Sequence, residues 1–176
     1  MPVLIILRGN SGSGKTTLAK ALQEHFGSGT MRLSHDMIRM DILHTHGQEG
    51  VEKSLPLMQE LLKYGREHSE VTILEGILPS DAYRPLFETA LGEFGDSIFA
   101  YYYDISFEET LRRHSTKPNR GDFGEKEMRR WWREKDLLDI IPERILTEDQ
   151  SLDDALKTIL RDVDSGETSF SKGETA

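Results

Sequence analysis

Five short apolar runs punctuate the chain, and between them apolar residues recur at three- and four-residue spacing. Val3-Leu4-Ile5-Ile6-Leu7 is unbroken by any polar residue, so it predicts a strand buried on both faces. Thr30-Met31-Arg32-Leu33, Val71-Thr72-Ile73-Leu74, the run from Ser97 to Tyr103, and Arg144-Ile145-Leu146 predict four more strands. Leu18, Ala21 and Leu22 mark a first helix, and Met37 to Leu43 a short second one. Ser54 is placed to cap a third, with Pro56 in its first turn and Leu57, Leu61 and Leu62 carrying it to about His68. Pro79-Ser80-Asp81 is read as the cap of a fourth that reaches about Leu91, and Phe107 to His114 forms a fifth. Glu125 to Asp136 reads as a sixth, with Met128, Trp131, Trp132 and Lys135 on one face and the two tryptophans as packing anchors. Ser151 caps the last, whose inward stripe is Leu152, Ala155, Leu156, Ile159, Leu160 and Val163. Residues 164–176 have no apolar period, and a disordered tail is expected there, leaving 1–163 as one domain. Strands alternating with helices imply an α/β fold, a five-stranded parallel sheet with helices on both faces. Right-handed crossovers then bring every strand's C-terminal end to one sheet edge, where ligands bind.

The chemistry gathers at that edge. Gly9-Asn10-Ser11-Gly12-Ser13-Gly14-Lys15-Thr16 has two glycines five apart followed by Lys and a hydroxyl residue, the Walker A pattern, with a strand before it and a helix after. Glycines reach backbone angles closed to other residues, so successive N–H groups can point into one concavity at a helix N-terminus. These eight residues and Thr17 therefore form the expected nucleotide cradle of a P-loop nucleoside-triphosphate hydrolase fold. Lys15 is expected at the β- and γ-phosphates of ATP, and Thr16 at Mg²⁺. Asp36, Glu75 and Asp104 end the next strands and should share the rim; Glu75 is the candidate second metal residue. Asp36 is placed to take the proton of an acceptor hydroxyl, or to cap the helix after it. Arg39, three residues on, shares its helical face and could pair with it or bind an anionic acceptor. His44 and His46 have no carboxylate or Cys at useful spacing, and they are read as a loop.

Composition narrows the function. The chain has 176 residues, no Cys and a net charge of −9, and it has no long apolar run, so a cytoplasmic protein without disulfides or a membrane segment is expected. An acidic chain argues against a broad nucleic-acid groove. Residues 112–135 nevertheless carry nine Lys/Arg against four Asp/Glu, an island suited to a polyphosphate. A Pro-Asn-Arg-Gly loop lies within it, so residues 112–130 are expected to form a helical lid that brings Arg120, Arg112 or Arg113 to the phosphates. A guanine-reading Asn-Lys-x-Asp signature is absent, and there is no second module for a mechanical ATPase to move.

Taken together, Gly-x-x-Gly-x-Gly-Lys-Thr, Asp36-x-x-Arg39, the acidic end of the third strand and the Arg-rich lid resemble the small P-loop kinases related to the bacteriophage polynucleotide 5′-kinase and the zeta-toxin-like kinases. The resemblance runs from about Val3 to Val163. It implies Asp36 as general base, Arg39 at the acceptor, and one of Arg112, Arg113 or Arg120 on the ATP phosphates. Glu75 stands where these kinases more usually carry Asp. The group also contains antibiotic, sugar and nucleoside kinases. The expected activity is ATP- and Mg²⁺-dependent phosphorylation of a hydroxyl on a small organic acceptor. The alternatives are a polynucleotide 5′-hydroxyl kinase and a nucleotide-binding regulatory ATPase.

Overall fold

The computed structural model describes residues 1–118 and 121–171. Strands β1 (Val3–Gly9), β2 (Met31–Ser34), β3 (Val71–Gly76), β4 (Ile98–Tyr103) and β5 (Arg144–Leu146) form one sheet in the order β2-β3-β1-β4-β5. All four pairings are parallel, as strands alternating with helices predict. The helices are α1 (Lys15–Phe26), α2 (Gly47–His68), α3 (Arg84–Phe94), α4 (Phe107–Ser115), α5 (Glu125–Trp131) and α6 (Leu152–Ser165).

The pleat of β1 divides the core. Leu4 and Ile6 pack with Met58 and Leu62 of α2 and Phe87 and Ala90 of α3, whereas Ile5 and Leu7 pack with Leu18 and Leu22 of α1 and Ala155 and Ile159 of α6. Each fully buried Leu or Ile contributes roughly 1.5–3 kcal/mol. The chain leaves central β1 to one side for β2 and returns across it from β3 to β4, so the strand order reverses at β1 and β3. That crevice, at the strands' C-terminal ends, is the ligand position of such sheets.

Four expectations need correcting. Helix α2 starts at Gly47, not at Ser54, and Pro56 lies inside it. Its inward stripe begins with Gly50 and Ser54 before Met58 and Leu62, and a stripe opening on small and polar residues carries no apolar signal. Residues Ser80 to Tyr83 form a turn ahead of α3, and Asp81 bonds Ala82 N and ion-pairs with Arg133. Helix α5 stops at Trp131, well short of Asp136. Trp132 is extended and meets Phe107 edge-on at 5.2 Å. Lys135 is therefore not on the Met128 face; it pairs with Asp104 at 3.3 Å. Finally, the chain stays on the fold past Val163: α6 runs to Ser165 and Phe170 packs against the core, while residues 172–176 of the expected tail lie outside the described residues. Gly166 (φ 69°) ends α6, Ser169 N donates to Ile98 O at 2.8 Å, and Ala100 N donates to Ser169 Oγ at 2.7 Å. Leu152 is the exception in the α6 stripe, 43% exposed.

Candidate active site

The glycine loop leaves β1 under tight constraint. Gly9 has φ 144°, and a Cβ there would lie 2.9 Å from Tyr103 Cβ. Gly12 has φ 82°, and its Cβ would meet Thr110 O of α4 at 2.7 Å. Gly14 takes the left-handed conformation at φ 105° and hands the chain to α1. Side chains at these positions would be strained or would clash, so the loop can sit flush between β4 and α4 only as glycine. Between them, the Asn10 side chain grips the Arg133 backbone on both sides: Nδ2 donates to Arg133 O at 2.7 Å, and Arg133 N donates to Oδ1 at 2.9 Å. Ser11 is half-buried at the crown of the turn, and Ser13 N donates to Asn10 O at 3.3 Å.

Lys15 opens α1 with its side chain buried. Its Nζ folds over the loop and donates to Asn10 O at 2.7 Å and Ser13 Oγ at 3.1 Å. Burial draws its pKa down to about 8, against the pull of the Glu75 and Asp36 carboxylates. Thr16 and Thr17 are exposed beside it. Thr16 Oγ1 donates to both oxygens of Glu75, each at 3.2 Å, so the two expected metal residues meet. Glu75 itself is buried at the end of β3, paired in register with Ser34, and Arg32 Nη1 stands 3.5 Å from its Oε1. A hydroxyl and a carboxylate side by side are hard oxygen donors of the kind Mg²⁺ takes while keeping water and phosphate oxygens in its shell. Among the described residues no three His, Cys, Asp or Glu side chains gather as a closed metal cage.

Asp36 lies two residues past the end of β2, and its side chain is 69% exposed. It makes no side-chain cap to the helix after it. Its charge partly offsets the lowering that burial imposes on the pKa of Lys15 and Lys117. The segment Met37–Ile42 is helical as expected but wound as a π-helix, with Leu43 N donating to Ile38 O at 3.0 Å. Such wide turns recur at functional sites. Arg39 sits on it half-buried, and its Nε is enclosed without a hydrogen-bond partner.

The basic segment divides its roles. Arg113 Nη1 donates to Ser13 O at 2.7 Å and Nε to Glu109 Oε1 at 2.7 Å, which sets its guanidinium against the loop. Arg112 turns its bonds onto Glu109 and is 69% exposed, at the cavity mouth rather than on the loop. Both arginines hold the Glu109 carboxylate down at about 2. Arg120 lies outside the described residues. Lys117, not singled out in sequence, is half-buried in the wall of the cavity beside the loop, and burial lowers its pKa against the pull of Asp36 and Glu75. Its place in the basic segment was the only available signal. A cavity of about 460 Å³ adjoins the loop, with Gly12, Gly14, Thr17, Arg113, Gln150 and Leu152 in its walls. That is within the range of small-molecule sites.

This sheet, loop and crevice define a P-loop nucleoside-triphosphatase fold. The chain belongs to the AAA domain family, whose model matches residues 4–138. No curated protein matches it in sequence. Among solved structures, a gluconokinase from Sinorhizobium meliloti 1021 superposes with a TM-score of 0.64 at 17% identity, covering 93% of each chain. The Mycobacterium tuberculosis APS kinase CysC, solved with AMPPNP and APS, gives 0.62 at 19% identity, covering 91% of this chain and 96% of that one. Shikimate kinase from Acinetobacter baumannii, solved with shikimate, gives 0.59 at 16% identity and 95% of each chain. At these identities the likeness is one of fold.

Proposed function

We propose that the chain is an ATP- and Mg²⁺-dependent kinase that transfers the γ-phosphoryl group to a hydroxyl of a small organic acceptor. One observation carries the reading: Lys15, the Thr16–Glu75 pair, the exposed Asp36 and the half-buried Lys117 occupy one sheet edge although they come from four separate segments. Phosphoryl transfer is accelerated chiefly by positioning and charge neutralisation, and this edge offers both. Thr16 and Glu75 would hold Mg²⁺, which when bound neutralises charge on the β- and γ-oxygens. Lys15 leaves the loop oxygens for the phosphates, and Arg113 braces the loop from α4. The cavity beside Thr17 and Arg113 takes the nucleoside.

Asp36 accepts the acceptor's hydroxyl proton as that oxygen bonds to the γ-phosphorus. The bond from phosphorus to the bridging oxygen breaks, and ADP departs with the charge. Arg39, with its unpartnered Nε, suits an anionic group on the acceptor. The gluconokinase, APS kinase and shikimate kinase neighbours support an acceptor of small size. Asp36-x-x-Arg39 favours, within that range, the group related to polynucleotide 5′-kinase and the zeta-toxin-like kinases. The net charge of −9 disfavours a polynucleotide as the acceptor. No helix among the described residues is long and apolar enough to cross a membrane, and a cytoplasmic site of action fits an ATP-consuming enzyme.

An ATP-consumption screen tests this, run over sugars, sugar acids, nucleosides, hydroxylated antibiotics and 5′-hydroxyl oligonucleotides. The expected result is turnover with a small acceptor that Lys15→Ala abolishes while remaining folded. Turnover with oligonucleotides alone, or ATP binding without transfer to any acceptor, would overturn it.

A further inference from the structure

Beneath Asp36 lies a row of buried polar groups that the reaction above does not use. His35 is 1% exposed, and its Nε2 is 2.6 Å from the Tyr83 hydroxyl, which is in turn 2.9 Å from Ser54 Oγ. The three come from the end of β2, the turn before α3 and the middle of α2. The far ring nitrogen, His35 Nδ1, has no hydrogen-bond partner and stands 4.0 Å from Asp36 Oδ1. Space for the imidazole is made by Gly76, where a Cβ would come within 2.5 Å of His35 Cβ. Three polar side chains buried in line are costly unless each is satisfied, so their arrangement has a reason.

We propose that Ser54 and Tyr83 fix His35 in the tautomer that carries its proton on Nδ1, and that this N–H steers the Asp36 carboxylate, making His35 and Tyr83 positioning residues for the acceptor base. The proposal rests on the kinase reading only for what Asp36 does. Burial pushes the His35 pKa down to about 4, so the ring is neutral near pH 7 and only one nitrogen holds a proton. Two arrangements of the row are possible. In one, Ser54 donates to the Tyr83 oxygen, Tyr83 donates to Nε2, and the ring proton sits on Nδ1 facing the carboxylate. In the other, Nε2 donates to Tyr83, Tyr83 donates to Ser54, and Ser54 is left with Val51 O at a long 3.4 Å. The second leaves a bare lone pair on Nδ1, enclosed and turned toward a negative charge. The 4.0 Å gap is too long for a hydrogen bond, but catalytic contacts of this kind commonly tighten when substrate binds.

Two measurements judge the proposal. Long-range ¹H–¹⁵N correlation of imidazole-labelled protein reports the His35 tautomer without any acceptor. The Nδ1–H form is expected in the wild type, and it should be lost or mixed in Tyr83→Phe. An Nε2–H ring in the wild type would overturn the proposal. Kinetics then test the coupling to Asp36. Tyr83→Phe should lower kcat ~10-fold, the size typical of a lost outer partner, with KM for ATP unchanged. In an Asp36→Asn background the same change should have almost no effect on kcat, because its route of action is gone. His35→Asn, whose amide can stand in for Nδ1–H, should recover more kcat than His35→Gln, whose amide reaches the Nε2 position instead. Equal losses from Tyr83→Phe with and without Asp36 would place its effect elsewhere and overturn the proposal. Absence of transfer with every acceptor would sink the kinase reading alone, and the tautomer spectrum would still decide the row.

Discussion

Arg8 offers a stability test whose size follows from its surroundings. It sits fully buried one residue before the glycine loop. Its Nη1 donates to both oxygens of Glu143 at 3.0 and 2.9 Å, and the Glu143 side chain has no exposure either. Nη2 reaches Asp136 Oδ2 at 3.0 Å, and Nε and Nη2 donate to Leu78 O at 3.1 and 2.9 Å. Arg8→Met keeps much of the volume but strands Glu143 with Leu138 N as its remaining donor, and strips Leu78 O of both its side-chain donors. Breaking one side of a buried pair costs about 3–5 kcal/mol, and the extra carbonyl places this case in the upper half. Against a domain stability of ~5–15 kcal/mol that is a large fraction. With a urea slope of ~2 kcal/mol per molar, the midpoint should fall by ~2 M, read by fluorescence of Trp131 and Trp132. Arg8→Met with Glu143→Leu removes both charges and should recover at least half of the loss. A single-variant midpoint within ~0.5 M of wild type would refute the reasoning.

Three further outcomes follow from the loop itself. Gly12→Ala must hold φ 82° and a Cβ 2.7 Å from Thr110 O; left-handed strain alone is about 1–2 kcal/mol, so ATP affinity by calorimetry should fall at least ~10-fold, and unchanged affinity would contradict the loop geometry. Because burial lowers the free Lys15 pKa to about 8, while bound phosphates favour its charged form, ATP binding should take up a proton above pH 8 and weaken as pH rises further; calorimetry in buffers of different ionisation enthalpy would show this, and no uptake would contradict it. Arg113→Ala should weaken nucleotide binding ~10-fold or more, whereas Arg112→Ala, whose bonds go to Glu109, should change it by less than about twofold; the reverse order would contradict the assignment.

Much of this architecture is legible in the sequence because the signals are local. The unbroken run Val3 to Leu7 announces a central strand, and the glycine loop after it announces phosphate chemistry. Topology then places Asp36 and Glu75 on one rim, since parallel strands share a C-terminal edge. What escaped the sequence depends on long-range partners. Ser54 reads as a cap until Tyr83 is seen beside it. Asp136 reads as helical until Arg8 and Ser80 claim its carboxylate. His35 reads as an unremarked neighbour of Asp36, because nothing local reveals that its ring is enclosed by Gly76 and held by Tyr83. Ser169 looks like tail until its side chain meets the β4 backbone.

The central claim is that one sheet edge binds ATP through the glycine loop and activates an acceptor through Asp36. Asp36→Asn tests it most directly, because the amide is nearly isosteric and the 69% exposed side chain supports no fold contact of note. The dissociation constant for Mg·ATP and kcat with the best acceptor should be measured side by side in wild type and variant. The account predicts unchanged ATP affinity and a kcat lowered by ~10²-fold, near the lower end for a lost general base because a loose transition state needs less proton transfer. Weakened ATP binding with kcat intact would move Asp36 into the metal shell and contradict the account.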